Sequence, residues 1–401
     1  MGYRILLVNK FYYTRGGAEV VTINLHDELT ARGHEVGIFT MDYHHIDSAE
    51  HLFTAPEVTF KHGLSGKINF ARRTLGGYGV RQAFARALDT FKPHVVHLHN
   101  IHSYLSPVVA RLAHERGVRV VWTLHDYKLV CPAYSCLNRG VPCERCLRHR
   151  DAVLWQRCFK ESAAASTLAW LEARKWRRAA IERWVDALVC PSTFMRHIME
   201  RGGWDPAKLH VVCNFLDPVK AAALAGDTAE GGRHDYVGYA GRLSHEKGVD
   251  TLLQVAAAMP HVHFKIAGNG PLKDEYVARY GAHDNIEFVG QLTAGEVAAF
   301  QRRARLMVVP SQCYENNPLA IIESLSAGTP VAGARIGGIP ELVGDGDGLT
   351  FTPGDKDDLR RVIAQALSTE WDHAAIAGRA RERFSADRHI EQLFNLYFPR
   401  P

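Results

Sequence analysis

The sequence predicts an α/β protein made of two doubly wound domains. Its 401 residues exceed the ~250–300 residues at which single hydrophobic cores stop growing, so two domains are expected. Short apolar segments alternate with amphipathic ones along the whole chain, which is typical of parallel sheets covered by helices. The apolar fraction of 46% and the charged fraction of 23% are those of a globular protein and exclude a disordered chain.

The strands divide between the two domains. They are predicted over 5–8, 36–40, 95–98, 118–124, 187–190 and 209–213, and then over 236–240, 263–267, 286–289, 306–309 and 330–332. Helical patterns include 18–32, 104–116 and 166–184. Asp217-Pro218 follows a strand and disfavours helix. We therefore predict domains over 1–213 and 214–385, a last helix over 386–401, and a surface segment over 221–234.

Charge is unevenly divided along the chain. Residues 1–213 carry 29 Lys and Arg against 19 Asp and Glu, whereas residues 214–401 carry 19 against 24. This asymmetry indicates different partners, and leaves nucleic acid, an anionic membrane or a phosphorylated acceptor open for the basic domain. No apolar run reaches the ~18–20 residues that span a bilayer, and no secretion signal precedes the first strand, so a cytoplasmic protein is expected.

Two glycine-containing turns each follow a strand and precede a helical pattern, at Gly16-Gly17 and at Gly268-Asn269-Gly270. Glycine lets backbone approach an anion, and a helix N-terminus adds partial positive charge. Neither turn fits the dinucleotide or the P-loop pattern, so hydride transfer and P-loop chemistry lose their main support. Taken alone, each fits a plain tight turn better.

A third loop, Gly241-Arg242-Leu243-Ser244-His245-Glu246-Lys247-Gly248, follows the strand over 236–240. Arg242 and Lys247 place two cations where an open α/β sheet binds its ligands. Two fixed charges suit a diphosphate. A solvated arginine and a lysine at a helix start are the alternative.

The segment Glu315-Asn316-Asn317-Pro318-Leu319 lies between a buried strand and an apolar helix. Asn317 is predicted as the helix cap and Pro318 as its first residue. Glu315 and Glu323 then flank the free amides at the helix start. This arrangement favours recognition of a sugar, a phosphate and a ribose, and two solvated glutamates are the alternative.

These motifs, together with Ser326-Ala327-Gly328-Thr329-Pro330-Val331, resemble the retaining glycosyltransferases of family four over nearly the whole chain. The resemblance implies the GT-B fold, in which two Rossmann-like domains face a central cleft and a C-terminal helix returns to the first domain. It implies transfer of a sugar from a UDP- or GDP-linked donor to an acceptor hydroxyl, with retained anomeric configuration. Nothing indicates the carboxylate pair of a glycosidase. A nucleotide-sugar epimerase of the same fold is the alternative enzyme.

The resemblance also implies roles for individual residues. Arg242 and Lys247 would bind the diphosphate and stabilise its departure, Glu323 would bind the ribose, and Glu315 would hold the transferred sugar. The other donor-binding residues that it implies are Gly16, Gly17, Gly241, Gly268, Asn269, Gly270, Val289, Gln291, Asn316, Asn317, Pro318 and Leu319.

His125 ends a first-domain strand, in Thr123-Leu124-His125-Asp126. The resemblance makes it a catalytic residue near the transferred sugar, with Asp126 orienting it or serving the acceptor. A histidine that is hydrogen-bonded at a strand end for structural reasons is the alternative. The histidines at 94, 97, 99 and 102 are interpreted as structural or acceptor-side residues rather than as metal ligands.

Cysteines point to a possible structural metal. Cys131, Cys143, Cys146 and Cys158 have the spacing C-x11-C-x2-C-x11-C, with Cys136 as an extra thiol. In a reducing compartment the close pair favours structural zinc, with free thiols or a disulfide as alternatives. The sequence Asp345-Gly346-Asp347 lies among glycines and predicts a turn, so no catalytic metal is expected.

Basic and aromatic residues crowd the cysteine-rich segment and the helix after it. They are Arg139, Arg145, Arg148, Arg150, Arg157, Lys160, Arg174, Lys175, Arg177, Arg178, Trp155, Trp170, Trp176 and Trp184. Such a mixture suits a peripheral membrane contact, and a solvated helix with core tryptophans is the alternative. The membrane interpretation implies a lipid-linked saccharide acceptor at the inner face of the membrane, in bacterial surface-polysaccharide assembly. A nucleic-acid-binding protein is the remaining rival, and it leaves Glu315 and Glu323 without a role.

Overall fold

A computed structural model describes residues 2–58, 63–225 and 235–399. From residue 226 onward, the predicted surface segment over 221–234 lies outside the described residues. The chain divides into two compact units. The first contains the described residues up to Arg139, Cys143–Cys213 and those from Ile390 onward, and the second contains Gly140–Pro142 and Asn214–His389. In the described ranges, no helix has the length and apolar character needed to cross a membrane.

The first unit is built on a parallel sheet. Its strands are β1 (Arg4–Val8), β2 (Glu35–Met41), β3 (His51–Ala55), β4 (Val95–Leu98), β5 (Arg119–Thr123), β6 (Leu137–Asn138), β8 (Ala187–Cys190) and β9 (Leu209–Val211). The short strand β7 (Val141–Pro142), between β6 and β8 in the chain, belongs to the second unit. Among the described residues the sheet has seven strands, in the order β3-β2-β1-β4-β5-β8-β9. Its inner strands are almost completely buried, which explains their continuous apolar runs.

Helices cover this sheet. They are α1 (Gly17–Ala31), α2 (Gly63–Gly76), α3 (Val80–Phe91), α4 (Val108–His114), α5 (Arg145–Arg148), α6 (Ala152–Gln156), α7 (Ala163–Lys175), α8 (Arg178–Trp184) and α9 (Thr193–Arg201). The strand order changes direction between β1 and β4. The loops that follow these two strands therefore lie where open α/β sheets bind ligands.

The second unit repeats this plan. Its strands are β10 (Tyr236–Ala240), β11 (His263–Ala267), β12 (Ile286–Gly290), β13 (Leu306–Val309), β14 (Val331–Ala334) and β15 (Gly348–Phe351). Its parallel sheet, as far as the structure describes it, has the order β12-β11-β10-β13-β14-β15. The order changes direction between β10 and β13, so the loops after these strands are the expected binding loops.

The helices of the second half complete the fold. They are α10 (Pro218–Ala225), α11 (Val249–Ala257), α12 (Lys273–Tyr280), α13 (Ala294–Arg303), α14 (Leu319–Ser326), α15 (Ile339–Leu342), α16 (Lys356–Ser368), α17 (His373–Arg383) and α18 (Ala386–Tyr397). The last helix begins in the second unit and ends in the first. In the first unit, the Tyr397 hydroxyl lies 2.6 Å from Nδ1 of His97, and Arg119 Nε donates to the Leu396 carbonyl.

Two predicted helices were wrong in extent. The pattern over 166–184 forms two helices, because the chain turns at Trp176, whose buried indole donates to the Thr74 carbonyl at 2.8 Å. The pattern over 104–116 becomes helical only at Val108. Before it, Ser103 and Ser106 have φ values of 62° and 61°, which a helix does not allow.

Candidate functional site

In the second unit, the glycine turn after β11 packs directly on the loop after β10. A Cβ on Gly268 would lie 1.9 Å from the Gly241 carbonyl oxygen, and one on Gly270 would lie 2.2 Å from that of Leu243. The Leu243 amide donates to the Asn269 carbonyl at 2.9 Å. These glycines therefore allow one backbone loop to approach another. This close contact between the loops accounts for glycine at 268 and 270 without a bound anion. It also brings Gly241, Gly268 and Gly270 close together.

As predicted, a helix follows this turn, though not directly. Helix α12 begins at Lys273, three residues beyond Gly270, so its free amides do not belong to the turn. Near the end of β12, Val289 is half-buried, and Gln291 directly after the strand is exposed. The Gly268 amide donates to the Gly290 carbonyl at 2.7 Å, so the loops after β10, β11 and β12 are adjacent.

Lys247 and Glu315, predicted from separate motifs, are in contact. Lys247 Nζ lies 2.6 Å from Glu315 Oε1, and the Ser311 hydroxyl donates to the same oxygen at 2.6 Å. Burial is the largest single influence on the pKa of Lys247 and lowers it, but the charge and hydrogen bond of Glu315, together with Cys313 and Glu246, raise it more, so the net shift is upward. The ammonium group is therefore held charged beside a carboxylate. The solvated alternative is therefore wrong for Glu315, whereas Lys247 also stands two residues before α11, as its alternative had it.

Arg242, the other predicted cation, is exposed. Its carbonyl accepts the Tyr239 hydroxyl at 2.9 Å, which fixes the loop backbone and leaves the guanidinium outside this contact. Gly248 follows at φ 68°, where a Cβ would lie 1.8 Å from the Pro310 carbonyl oxygen. The loops after β10 and β13 are thus pressed together, and this contact places Lys247 beside Glu315.

Glu323 is buried inside α14, with a relative exposure of 7%. Its Oε1 forms an ion pair with Lys220, and its Oε2 accepts a hydrogen bond from Gln301 at 3.2 Å. A carboxylate in a mostly apolar helix is therefore charge-compensated within the second unit. The solvated alternative for Glu323 is also wrong.

The start of α14 differs by one residue from the prediction. Pro318 is the cap, with φ −69° and ψ 119°, and the helix begins at Leu319. Asn317 does not cap the helix. It is buried, and its Oδ1 accepts the Asn214 amide at 3.1 Å while its carbonyl accepts the Asn214 side chain at 3.0 Å. Asn316 is half-buried beside it.

In the first unit, the loops after β1, β4 and β5 meet because these strands are neighbours in the sheet. Gly16 caps α1 and Gly17 is its first residue, so this turn does open a helix as predicted. Glu19 in the first helical turn is buried. A Cβ on Gly16 would lie 3.3 Å from the Glu19 carboxylate, whereas Gly17 is open.

His125 is held by a second histidine. Its Nε2 lies 3.0 Å from Nδ1 of His99, and the two rings are stacked with centroids 5.3 Å apart. Burial, followed by the charge of Lys10, lowers the pKa of His125 to about 4. The imidazole is therefore neutral at pH 7. The contact with His99 is the structural hydrogen bond that the alternative interpretation of His125 expects. It uses only Nε2 of His125, so a role of Nδ1 in ligand binding is compatible with it.

Charged groups surround His125. Burial lowers the pKa of Lys10, which is opposed by the charges of Asp126 and Glu19. Burial raises the pKa of Asp126, whose carboxylate accepts the Lys128 amide at 2.9 Å. The loop after β5 thus carries a carboxylate and the loop after β1 an ammonium group in the same neighbourhood.

A buried ion pair anchors this loop. Lys128 Nζ lies 2.9 Å from Glu172 on α7, and both side chains are about 5% exposed. Lys128 also donates to the Pro132 carbonyl at 2.7 Å, and Glu172 accepts the Ser103 amide at 2.9 Å. These contacts connect the loops after β4 and β5 to the helix that follows the cysteine-rich segment.

The remaining histidines have structural contacts. His97 is buried, with Nε2 2.8 Å from the Thr123 hydroxyl and Nδ1 on Tyr397. His94 accepts the Arg4 amide at 2.9 Å. Burial lowers the pKa of His102 well below its usual value. The His102 ring lies 5.1 Å from that of Trp122, at an angle of 35°.

The structure gives no support to the predicted zinc site of the cysteines. Within the described ranges, no group of three or more His, Cys, Asp or Glu side chains is arranged to hold a metal ion. Hydrogen bonds with Cys136 and Cys146 lower the pKa of the Cys131 thiol. The thiol partners of Cys131 therefore include Cys136, which the spacing left aside. Cys143 and Cys158 are half-buried free thiols, and the zinc prediction is not confirmed.

The Asp345-Gly346-Asp347 segment forms a turn before β15, with Gly346 at φ 82°. Asp347 is buried and forms an ion pair with Arg379 at 2.6 Å. This carboxylate is therefore engaged in holding α17.

Sequence reasoning did not predict several residues at these sites. They are Lys10, Lys128, Glu172, Lys220, Gln301 and Ser311. Lys10 directly follows the first strand, and this position is the signal that could have identified it. Lys220 and Gln301 come from helices distant in sequence from Glu323, so no local pattern indicates them.

Comparison with known proteins agrees with this fold and these motifs. The model of Glycosyltransferase Family 4 matches residues 15–220, just over half of the chain, and that of Glycosyl transferases group 1 matches residues 225–383. A Klebsiella pneumoniae protein, an uncharacterized 42.6 kDa protein in the cps region, is 25% identical over 84% of this chain and 87% of its own length.

Two solved structures have the same two-domain fold. HepE of Anabaena, in complex with UDP and glucose, superposes with a TM-score of 0.67 over 98% of each chain, at 19% identity. The lipopolysaccharide outer core galactosyltransferase WaaB superposes with a TM-score of 0.68 over 98% of this chain and 99% of its own, at 17% identity. Both are α/β proteins of the GT-B type, so the predicted fold class is confirmed. Together with the two family matches, these findings show that the chain is a glycosyltransferase that belongs to Glycosyltransferase Family 4.

Proposed function

We propose that this enzyme is a retaining glycosyltransferase that uses a UDP- or GDP-sugar. The contact between Lys247 and Glu315 carries the proposal, because it joins a cationic loop and a carboxylate loop at the binding edge of one sheet. Support for the donor comes from HepE, which was solved with UDP and glucose.

The side chains have distinct parts in the proposed reaction. Lys247 and Arg242 stabilise the negative charge that develops on the departing diphosphate, which is the largest catalytic contribution that fixed charges make. Glu315 accepts hydroxyls of the transferred sugar, and Glu323 accepts those of the ribose. The ion pair holds Lys247 and Glu315 in place before the donor binds, so less ordering is needed on binding. His125, neutral at pH 7, serves as a hydrogen-bonding residue for the sugar.

The acceptor that we propose is a lipid-linked saccharide or an oligosaccharide used in bacterial surface-polysaccharide assembly. The relative from the Klebsiella cps region and the lipopolysaccharide galactosyltransferase support this choice. The basic first half of the chain is consistent with an anionic, phosphate-bearing acceptor.

A donor screen tests the proposal. Thermal shifts of the purified chain are measured with UDP-, GDP- and ADP-sugars, and the stabilising donor is then incubated with and without saccharide acceptors. The expected product keeps the anomeric configuration of the donor in its NMR spectrum. Conversion of the donor sugar without any acceptor would identify an epimerase, and an inverted linkage would refute the retaining mechanism.

Glu315→Gln and Lys247→Met serve as site variants in this assay. Loss of transfer in both, with unchanged melting temperatures, is the expected result. Full activity of both variants would remove the site assignment, even if transfer itself is observed.

A further inference from the structure

We propose that the cysteine-rich part of the first unit carries a docking surface for an anionic lipid bilayer. Arg145, Arg148, His149 and Trp155 form this basic–aromatic surface. Together with Glu144, Ala152 and Gln156 they line one depression of about 430 Å³. The inference rests on the proposed function for its purpose, which is to bring the enzyme to a lipid-linked acceptor.

Trp155 is the first observation. It is 83% exposed, more than any other large hydrophobic side chain that the structure describes. Nearby tryptophans face the protein instead: Trp176 and Trp184 are buried, and the Trp170 indole donates to Asp151 at 2.5 Å. Of the four tryptophans in the predicted basic–aromatic mixture, three are therefore packed against the protein and one, Trp155, is exposed to solvent. Tryptophan is enriched at membrane interfaces, where its ring sits among the lipid headgroups.

The second observation is uncompensated positive charge. Arg145 and Arg148 are exposed, and in the described part of the chain neither forms an ion pair. The adjacent carboxylate of Glu144 is paired with Arg201 instead. His149, also exposed, follows Arg148 on the same surface. The surface therefore presents cations beside the exposed indole ring.

The surface is supported from below. Cys146 and Val153, one on each short helix, are buried beneath it at 6% and 0% exposure. Arg150, between the helices, donates to the carbonyls of Leu129 and Ala173. Asp151 holds α6 to α7 through the Trp170 indole described above. Trp155 and the arginines are thus presented by anchored helices, which reduces the ordering needed on docking.

The character of the depression favours lipid over nucleic acid. Its lining combines the Trp155 indole with the side chains of Arg145 and Arg148. Single-stranded nucleic acid binds along basic grooves with successive aromatic platforms, whereas the lining of this depression contains a single indole ring, that of Trp155, beside its arginines. One ring with flanking arginines is the combination that partitions into a headgroup layer.

Vesicle co-sedimentation of the full chain, without donor or acceptor, tests the proposal. Binding is expected to vesicles of phosphatidylglycerol and phosphatidylcholine and not to phosphatidylcholine alone. Each cation near an anionic bilayer contributes about fivefold to binding. Arg145→Gln/Arg148→Gln should therefore bind about 25-fold more weakly. Trp155→Ala should lose roughly 50-fold if half of the ring area enters the bilayer, and Trp155→Phe should lie between.

Arg86→Gln/Arg360→Gln is the matched control, since it removes the same charge from two exposed arginines, on α3 and α16, that form no ion pair in the described ranges, and it should bind like the unaltered chain. Because Trp155 is exposed, its variants should melt like the parent. The proposal would be overturned if Trp155→Ala and Arg145→Gln/Arg148→Gln bound vesicles as well as the unaltered chain does. It would also be overturned if the unaltered chain stayed in the supernatant. Binding of an oligonucleotide that these variants lose, without vesicle binding, would also overturn it. Loss of sugar transfer with intact vesicle binding would refute the proposed function alone.

Discussion

Replacing Lys220 with Met should weaken nucleotide binding by about 30-fold. Lys220 neutralises Glu323, the residue proposed to bind the ribose, and its own side chain is 20% exposed while that of Glu323 is 9% exposed. Exposed ion pairs contribute ~0–1 kcal/mol, and breaking buried ones costs ~3–5 kcal/mol. A pair of intermediate burial should therefore contribute about 2 kcal/mol, which corresponds to about 30-fold in affinity.

The direction follows from the geometry of the carboxylate. An ionised carboxylate has about four acceptor sites, and Lys220 and Gln301 occupy one on each oxygen. Two sites remain for ribose hydroxyls. Without Lys220, the carboxylate keeps only a neutral partner and adds an uncompensated negative charge beside an anionic ligand. Both effects disfavour a nucleoside diphosphate.

Isothermal titration of UDP and GDP provides the measurement, with Lys220→Met, Glu323→Gln and the double variant. The double variant should bind no more weakly than Glu323→Gln alone, since Lys220 acts through that carboxylate. Lys265→Met is the matched control. Its pair with Glu287 at 2.7 Å is more exposed, and it should leave nucleotide affinity unchanged. Tighter binding by Lys220→Met would show that the ammonium group competes with the ribose, and would refute the reasoning.

Three further outcomes are expected. Lys247→Met should lower kcat by about 10²–10³-fold with little change in melting temperature. A steady-state assay with a parallel thermal melt distinguishes this loss of catalysis from a loss of stability. Because burial depresses the pKa of His125 to about 4, the unfolded chain takes up a proton that the folded chain refuses, so its stability contribution is complete above pH 6.5 and is lost as pH falls towards 4. We therefore expect the free energy of unfolding in urea to fall between pH 7 and pH 4 by up to about 3 kcal/mol less for His125→Gln than for the parent. Equal dependence of the two unfolding free energies on pH would contradict this. Lys128→Met should cost about 3–5 kcal/mol in urea unfolding, and the double change Lys128→Met/Glu172→Leu should cost less, because it leaves no buried charge alone; equal costs would argue against the ion pair.

The sequence allowed most of the fold to be predicted because its inner strands are buried on both faces. Such strands appear as continuous apolar runs, as Ile5–Val8 does. The edge strand β3 was missed, since its residues alternate between half-buried and exposed and include His51. Strand β15 was missed because it begins at Gly348, directly after a turn. At Gly348 a Cβ would lie 2.0 Å from the Val331 carbonyl oxygen, so glycine is required by close strand packing and not by a loop.

The candidate site was predictable where one loop carries the chemistry, and not where distant elements complete it. Lys247 and Glu315 each follow a strand, and adjacency of β10 and β13 in the sheet brings them together. A parallel sheet therefore converts two local patterns into one contact. The partner of Glu323 comes instead from α10, 103 residues away, where Lys220 has no motif around it.

The partners that sequence missed share one physical origin. A carboxylate placed in an apolar environment needs a cation or several donors, or it destabilises the fold. Glu323 in α14 and Glu172 in α7 both meet this requirement, through Lys220 and Lys128 respectively. The two ion pairs differ in how exposed their side chains are. The side chains of Lys128 and Glu172 are only about 5% exposed, so this ion pair can hold the loop that carries His125 in a fixed position. The more exposed Lys220 can shift as a ligand arrives, so the same electrostatic rule yields a fixed support in one unit and an adjustable partner in the other.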